Sequence, residues 1–167
     1  SKPILFICNV DESSVIEGNE YSKRVEAFAK TLEASTLNIS VSIEQELSEI
    51  SDENELKEFL FEMGMEATGL EKLIKTGYDL LGLCTYFTSG PKETRAWTIP
   101  NSTLAPDAAG KIHTDFKKGF IRAETVSYSD FLSAGGWLRA KELGKVRSEG
   151  KDYSVKDGDI MNFLFSN

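Results

Sequence analysis

The sequence has few of the residues that metal, disulfide and membrane chemistry require. Its two cysteines, Cys8 and Cys84, are far apart and match no CxxC pattern, which favours buried thiols in a reduced compartment. His113 is the only histidine, and one histidine without a cysteine cluster makes a poor metal site. No apolar run approaches the roughly 20 residues of a membrane span, and no signal segment opens the chain. These absences predict a cytoplasmic protein with no metal site and no membrane partner.

Phosphate-binding and nucleophile motifs are also missing. A phosphate loop needs GxxxxGK[ST], because backbone amides wrap the phosphates and the lysine neutralises them. The chain offers Gly64 and Gly69 at that spacing, but Leu70 and Glu71 follow, so the lysine is missing and a carboxylate stands there instead. No glycine-flanked serine forms a nucleophile elbow. We therefore expect no catalytic residue in the chain and no nucleotide hydrolysis by the chain alone.

The charge is distributed unevenly along the 167 residues. Hydrophobic residues make up 40% and charged residues 28%, which allows one full domain and a smaller one. Residues 1–82 hold 7 Lys/Arg against 17 Asp/Glu, and residues 83–167 hold 12 against 10, so the balances of −10 and +2 give the net charge of −8. This asymmetry predicts two units with different partners. The pI near 4.8 argues against a general nucleic-acid binder and leaves open a local basic patch on the second half.

The first half has the pattern of a βαβ unit followed by helices. Residues 4–8 form an apolar run that predicts a strand buried on both faces, and residues 37–43 predict the next strand. A helix is expected between them, over about 19–34, and a short one inside the acidic stretch 44–66. A Thr68-x-x-Glu71 capping box begins another helix. Two apolar stripes are predicted to be buried: Tyr21, Val25, Phe28, Ala29 and Leu32, and then Leu70, Leu73, Ile74, Tyr78 and Leu81.

The second half predicts a helix packed across a small mixed sheet, the β-grasp arrangement. Strands at 85–88 and 94–99 form a hairpin, and an alanine-rich helix capped by Ser102 or Thr103 follows. A third strand covers 120–128, with Ile121, Ala123 and Thr125 sharing one face. The remaining predictions are short helices at 129–133 and 137–143 with Trp137, Leu138 and Val146 packing, and strands at 152–155 and 160–165 joined through Asp157-Gly158.

The words RAWTIP, AAGKIHTDF, KGFIRAE, GKDY and KDGDIMNF resemble the C-terminal TGS domain of the YchF / Obg-like ATPase family. The resemblance implies an α+β chain: a β-grasp, ubiquitin-like TGS domain over 83–167, preceded over 1–82 by helices and the βαβ remnant of a P-loop nucleotide-binding domain. It also implies a longer parent protein that binds and hydrolyses ATP, or GTP, with Mg²⁺. For the fragment itself we expect no cofactor, and micromolar ATP binding by it would contradict that expectation.

The same resemblance implies a base-binding site. Residues 9–12, Asn-Val-Asp-Glu, are similar to the family's Asn-x-x-Glu motif. In the family, this motif weakens the preference for guanine nucleotides and favours adenine. Residues 40–42, Ser-Val-Ser, fall where the family's second base-contacting loop lies. Read from the residues alone, Asn9 caps or turns the chain and Glu12 is a solvated carboxylate. The implied base-binding residues of the intact parent are Asn9, Val10, Glu12, Ser40, Val41 and Ser42.

Ribosome or RNA contact is implied for the TGS part, with five candidate cations: Arg95, Lys111, Lys117, Lys118 and Arg122. Trp97 and Phe120 are nearby aromatic residues that stack on bases if they are exposed. We expect His113 to be structural, at the negative end of the helix dipole. The alternative function is a ubiquitin-like protein-interaction domain without RNA or nucleotide binding. The truncated nucleotide domain also predicts self-association through residues near 1–50.

Overall fold

The structure, a computed structural model, describes residues 2–166. The chain forms two compact units, Ser1–Leu81 and Gly82–Asn167, which we call the N-terminal and C-terminal units. Among the described residues, no helix is long and apolar enough to cross a membrane. Each unit has its own sheet and its own buried cluster, so each is described by itself.

The N-terminal unit begins with a βαβ motif, as the sequence predicts. Strands β1 (Leu5–Asn9) and β2 (Ser35–Ile39) pair in parallel, and helix α1 (Glu20–Thr31) connects them after a short 3-10 turn (Glu12–Ser14). Helix α1 starts at Asn19, whose side chain accepts a hydrogen bond of 2.9 Å from the Ser22 N–H. The Ser22 hydroxyl accepts one from the Asn19 N–H at 2.9 Å, so each residue satisfies a backbone donor of the other.

The expected strand at 37–43 is partly wrong, because β2 ends at Ile39 and a helix follows. Helix α2 (Val41–Glu49) buries Ile43 and Leu47, which are one helical turn apart and pack with Leu60 and Met65. This contact outweighs the short-range β preference of residues 41–43. Two more helices complete the unit, α3 (Glu53–Glu62) and α4 (Gly69–Leu81).

The predicted capping box at the start of α4 is confirmed. The Thr68 N–H donates to the Glu71 carboxylate at 2.9 Å, and the Glu71 N–H donates to the Thr68 hydroxyl at 3.1 Å. These bonds satisfy two backbone donors that have no partner inside the helix.

The two predicted buried stripes are largely wrong. Tyr21 is 73% exposed and Leu70 is 58% exposed, while Ser22 and Ala29 are the buried residues of α1. Strand β1 is not buried on both faces either, since Ile7 is 47% exposed. Apolar periodicity therefore did not translate into burial in this unit. The other exposed members of the stripes are Phe28, Leu32, Ile74 and Leu81.

A mixed five-stranded sheet forms the C-terminal unit, and it confirms the predicted hairpin. Its strands are β3 (Leu83–Ser89), β4 (Thr94–Pro100), β5 (Phe120–Ser127), β6 (Arg147–Glu149) and β7 (Asp159–Phe165), in the spatial order β4-β3-β7-β5-β6. Strand β4 is antiparallel to β3, and the central strand β7 is parallel to β3 and antiparallel to β5.

Helices cover both faces of this sheet. On one face lie α5 (Ala105–Ile112) and α6 (Thr114–Lys118), and on the other α7 (Tyr128–Ala134) and α8 (Trp137–Glu142). The small alanine side chains of α5 let the helix approach closely enough for the Tyr86 hydroxyl to donate to the Ala108 carbonyl at 2.8 Å. Burial raises the pKa of Tyr86, so it stays neutral and keeps this bond. The alanines buried against the sheet are Ala105, Ala108 and Ala109.

Three local predictions in this unit are wrong. Leu104, not Ser102 or Thr103, occupies the N-cap of α5, and the Thr103 hydroxyl donates instead to the Pro100 carbonyl at 2.6 Å. Ile121 is exposed because a bulge between Phe120 and Arg122 interrupts the alternation of side chains. Leu138 is also exposed, whereas Trp137 and Val146 pack as expected.

The expected strand at 152–155 is a loop held by polar contacts, with one isolated bridge between Leu104 and Ser154. The Tyr153 hydroxyl donates to the buried Asp159 carboxylate at 2.7 Å, and the Lys156 N–H donates to the same carboxylate at 2.9 Å. Burial, together with the Asp159 charge and hydrogen bond, raises the pKa of Tyr153 to about 12. The neutral phenol therefore persists at physiological pH and fixes the loop to the start of β7.

Gly119 provides a test of the packing at the end of β7. A Cβ at this position would overlap the carbonyl oxygen of Ser166, which is backbone and cannot rotate away. We expect Gly119→Ala to destabilise the C-terminal unit by about 2 kcal/mol. Urea unfolding followed by tryptophan fluorescence measures this, because both tryptophans, Trp97 and Trp137, lie in this unit.

Gly150→Ala is the matched control, since a Cβ there meets no atom within 4 Å. It should change the free energy of unfolding by less than about 0.5 kcal/mol. Equal effects of the two substitutions would contradict the packing described for Gly119.

Candidate base-binding site and basic surface

The two segments predicted to contact a base meet at one edge of the parallel β1–β2 pair. Asn9 is the last residue of β1, and Ser40 directly follows β2. The side-chain oxygen of Asn9 accepts a hydrogen bond of 3.2 Å from the Val41 N–H. The Val10 N–H donates to the Ile39 carbonyl at 2.9 Å, which extends the strand pairing into the loop. The carboxyl ends of parallel strands are where α/β proteins bind ligands.

Asn9 satisfies a backbone donor that would otherwise have no partner. Val41 is the first residue of α2, so its N–H has no acceptor within the helix. With its oxygen directed at Val41, the carboxamide of Asn9 has an NH₂ group that makes no hydrogen bond to another residue within 2–166. Ser40 is buried, and its hydroxyl lies 3.0 Å from that of Ser42. The junction between β2 and α2 is thus fixed by the hydrogen bond from Val41 to Asn9 and by the contact between the Ser40 and Ser42 hydroxyls.

Glu12 lies in the 3-10 turn that follows β1, in the same loop as Asn9, and is exposed. Within residues 2–166 its carboxylate makes neither a hydrogen bond nor an ion pair. The neighbouring Asp11 is different: hydrogen bonds from Ser14 and Ser13 lower the pKa of its carboxyl. The structure therefore joins Asn9 to Val41 and Val10 to Ile39 by hydrogen bonds, and Glu12 follows in the next turn with a carboxylate that has no partner among the described residues.

The start of α4, which carries the incomplete phosphate-loop spacing, is already occupied. The Gly69 and Leu70 N–H groups donate to the Glu44 carboxylate at 2.6 and 3.0 Å. A carboxylate thus sits where a phosphate would meet helix amides. Glu44 belongs to α2, 25 residues earlier in the chain. Nothing in the local sequence signals this pairing, so sequence reasoning missed it.

The five candidate cations do not share one surface. Lys111, Lys117 and Lys118 line a pocket of about 840 Å³ between β4 and the helices α5 and α6, which we call the lysine pocket. Lys117 forms an ion pair with Asp107, which also lines the pocket. Neither Lys111 nor Lys118 forms an ion pair with another described residue. Three lysines against one aspartate leave a local balance of +2 in a chain of net charge −8.

Arg122 lies on strand β5, and its side chain is on the opposite face of the sheet from α5. Ala123 points into the core beneath α5, and side chains alternate along a strand, so Arg122 and Glu124 point the other way. The Glu124 carboxylate lies 3.0 Å from the Lys141 ammonium on α8, which confirms this direction. Arg122 shares a smaller pocket there with Lys141 and Arg147.

The two aromatic residues near these cations, Phe120 and Trp97, differ in how far their rings are exposed for stacking on a base. Phe120 is 5% exposed and cannot stack on a base. Trp97 is half-buried, and its indole N–H donates to the Thr88 hydroxyl at 2.9 Å. The Arg95 guanidinium lies 5.1 Å from the centre of the Trp97 ring and 3.5 Å from the Glu93 carboxylate. Arg95 is therefore on the α5 face, beside the lysine pocket rather than within it.

His113 has a different local role from the expected one. It ends α5 and also begins α6, where its Nδ1 accepts a hydrogen bond of 3.2 Å from the Asp115 N–H. The same Nδ1 lies 3.4 Å from the Asp115 carboxylate, so His113 joins the end of α5 to the start of α6. Among the described residues, no group of three or more His, Cys, Asp or Glu side chains is placed to hold a metal ion.

This geometry defines a class of protein: an α+β chain in which a parallel βαβ motif with polar loops at its carboxyl edge precedes a unit built on a mixed five-stranded sheet. The family YchF-GTPase_C, described as a protein of unknown function (DUF933), matches residues 83–166, about half of the chain. The chain therefore belongs to the YchF family, and its sheet and helices resemble the corresponding region of solved YchF proteins.

Relatives with assigned names cover the whole of the chain. It is 52% identical over 165 residues to the "Ribosome-binding ATPase YchF" of Escherichia coli O157:H7, an alignment that spans 99% of this chain and 45% of the relative. It is 49% identical over 168 residues to the protein of the same name from Bacillus subtilis, spanning 99% and 46%. The chain thus spans about half the length of the curated relatives it matches.

Two solved structures share the fold. The Schizosaccharomyces pombe YchF GTPase matches with a TM-score of 0.76 and 32% identity, over 97% of this chain and 43% of that one. A GTP-binding protein from Pyrococcus horikoshii OT3 matches with a TM-score of 0.64 over 98% and 46% of the two chains. At 18% identity, the second match supports the fold alone.

The hydrogen bond between Asn9 and Val41 can be tested by amide exchange. Asn9→Ala removes the acceptor of the Val41 N–H, so we expect this amide to exchange roughly fivefold faster. The Glu44 N–H, which donates to the Ser40 carbonyl at 3.0 Å within the same helix, is the internal control and should keep its rate. Unchanged exchange at Val41, or equal acceleration at Glu44, would contradict the proposed link between the two segments.

Proposed function

We propose that this chain carries the base-binding loops and the partner-binding unit of a ribosome-binding ATPase. The names of its relatives support the ribosome and ATPase parts of the proposal. The observation that carries the base-binding part is the hydrogen bond from Val41 to Asn9, because it joins two segments distant in sequence at the ligand-binding edge of parallel strands.

The chemistry of the loops suits a purine base. The Asn9 NH₂ group is a donor for a ring nitrogen or a carbonyl of the base, and the free Glu12 carboxylate accepts only, so it suits an amino group or ring N–H. Either ATP or GTP meets these requirements, and Mg²⁺ accompanies the triphosphate. The Glu44 carboxylate already accepts hydrogen bonds from the backbone N–H groups at the start of α4. This supports the view that phosphate contacts come from elsewhere in the whole protein.

We further propose that the C-terminal unit is a β-grasp TGS domain. The N-terminal unit would be the last part of a P-loop nucleotide-binding domain. Helix α5 lying across a mixed sheet whose hairpin β3–β4 precedes it supports the first assignment. The regulatory role would be to couple nucleotide state to the ribosome. Within this unit the lysine pocket is the favoured contact, since Lys111 and Lys118 have no ion-pair partner among the described residues.

Co-sedimentation with ribosomes tests the role of the lysine pocket. The double variant Lys111→Glu/Lys118→Glu should bind about tenfold more weakly, with a shallower dependence of affinity on salt, because each lysine that contacts a phosphate releases about one counterion.

The double variant Lys151→Glu/Lys156→Glu is the matched control. It changes the net charge by the same amount, at exposed positions of the same unit outside the lysine pocket. Equal binding by both double variants would refute the lysine pocket as the ribosome contact and would favour the protein-interaction alternative.

We also propose that the N-terminal unit self-associates. Ile4 and Ile7 of the β1 segment and Phe28 and Leu32 of the α1 segment are each about half exposed, and burying such apolar surface is favourable. Light scattering at increasing protein concentration should show a dimer or larger species, and Ile7→Lys should shift it towards the monomer. A monomer at all concentrations would refute this part of the proposal.

A further inference from the structure

A second pocket on the α5 face of the C-terminal sheet has four aromatic rings among its eleven lining residues. It has a volume of about 350 Å³, and we call it the aromatic pocket. Phe116 comes from α6, Trp97 from the edge strand β4, and Phe163 and Phe165 from the central strand β7. Four rings from three elements therefore converge on one cavity that is large enough for a nucleobase.

The rings present apolar surface towards the pocket. Phe116 and Phe165 are stacked with their centroids 4.0 Å apart, and both are only half-buried. The one polar edge among the rings, the Trp97 indole N–H, is already satisfied by the Thr88 hydroxyl. Glu93 lies at the rim, and Arg95 pairs with it at 3.5 Å, which offsets its negative charge. A flat, weakly polar group that stacks is the occupant these walls favour.

Helix α6 connects the aromatic pocket to the lysine pocket. Phe116 lines the first, and the next two residues, Lys117 and Lys118, line the second. Neighbouring residues of one short helix thus line the aromatic pocket and the lysine pocket. An apolar peptide side chain would suit the rings but would not use the cations. A nucleotide unit, with a base next to a phosphate, suits both.

We propose that the aromatic pocket holds an unpaired base of single-stranded RNA whose flanking phosphates lie on Lys111 and Lys118. This rests on the proposed ribosome contact and specifies its chemistry: exposed single-stranded ribosomal RNA rather than duplex or protein. Stacking on aromatic rings combined with a positively charged groove is how proteins bind single strands without reading their sequence. A base inside a duplex cannot enter the pocket, because both of its faces are stacked.

Fluorescence anisotropy with a labelled oligoadenylate and with its duplex tests this assignment. Phe116→Leu keeps an apolar side chain but removes the ring, and it should weaken single-strand binding about tenfold. It should leave the salt dependence of binding unchanged, whereas Lys118→Glu should make that dependence shallower. Duplex RNA should bind more weakly than the single strand and should not respond to Phe116→Leu.

The matched control is Tyr128→Leu. Tyr128 is a half-exposed aromatic residue of the same unit, but it contacts Phe87 in the cluster on the α7 and α8 face. This variant should bind the single strand within about twofold of the parent. Circular dichroism and urea unfolding of both variants show whether the fold is kept, and Phe165→Leu offers a second test from β7 if Phe116→Leu is unstable.

Three results would overturn the inference. The first is equal single-strand affinity of the parent and of folded Phe116→Leu and Phe165→Leu variants. The second is equal loss in the Phe116→Leu and Tyr128→Leu variants. The third is no oligonucleotide binding by a chain whose ribosome binding still depends on Lys111 and Lys118, which would mean a protein partner. That last result would leave the proposed function standing, whereas ribosome binding insensitive to both lysines would refute the proposed lysine contact itself.

Discussion

The parallel pairing of β1 and β2 is the constraint on which the candidate base site depends. Two parallel strands end at the same edge, so residues 30 or more positions apart in sequence leave the sheet side by side. The hydrogen bond from the Val41 N–H to the Asn9 side chain then fixes the end of β1 relative to the start of α2. It also solves a local problem of α2, whose first N–H has no acceptor inside the helix. One residue thereby ends a strand and caps the following helix with its side chain.

Carboxylates take the place of external anions in the N-terminal unit. Glu44 accepts two backbone N–H groups at the start of α4, and Asp52 accepts two at the start of α3. Such bonds stabilise helix starts because a negative charge opposes the positive end of the helix dipole. They also mean that these helix starts are not vacant for phosphate. Glu12, in the turn after β1, makes no such bond to another described residue.

The C-terminal unit separates its chemistry between the two faces of the sheet. The α5 face combines the lysine and aromatic pockets, whereas the other face pairs Lys141 with Glu124 and Lys145 with Asp130. Pairing alone does not separate the faces, because Arg95 and Lys117 on the α5 face are paired too, and Arg122 on the other face forms no ion pair with a described residue. The α5 face is distinguished by two lysines that are unpaired among the described residues, Lys111 and Lys118, and that line one pocket.

Elements with local signals could be predicted from the sequence. The β3–β4 hairpin, the alanine helix and the Thr68–Glu71 capping box each rest on residues close together in the chain, and the family resemblance rests on short segments in a fixed order over 95–163. The other features depend on tertiary contacts. The tertiary structure made a helix of residues 41–43 because Ile43 meets Leu60 and Met65, and it placed Arg122 opposite α5 because strand side chains alternate beyond the bulge. It also paired Glu44 with α4 across 25 positions. These outcomes depend on contacts between segments distant in sequence, and a linear pattern does not encode which segments will meet.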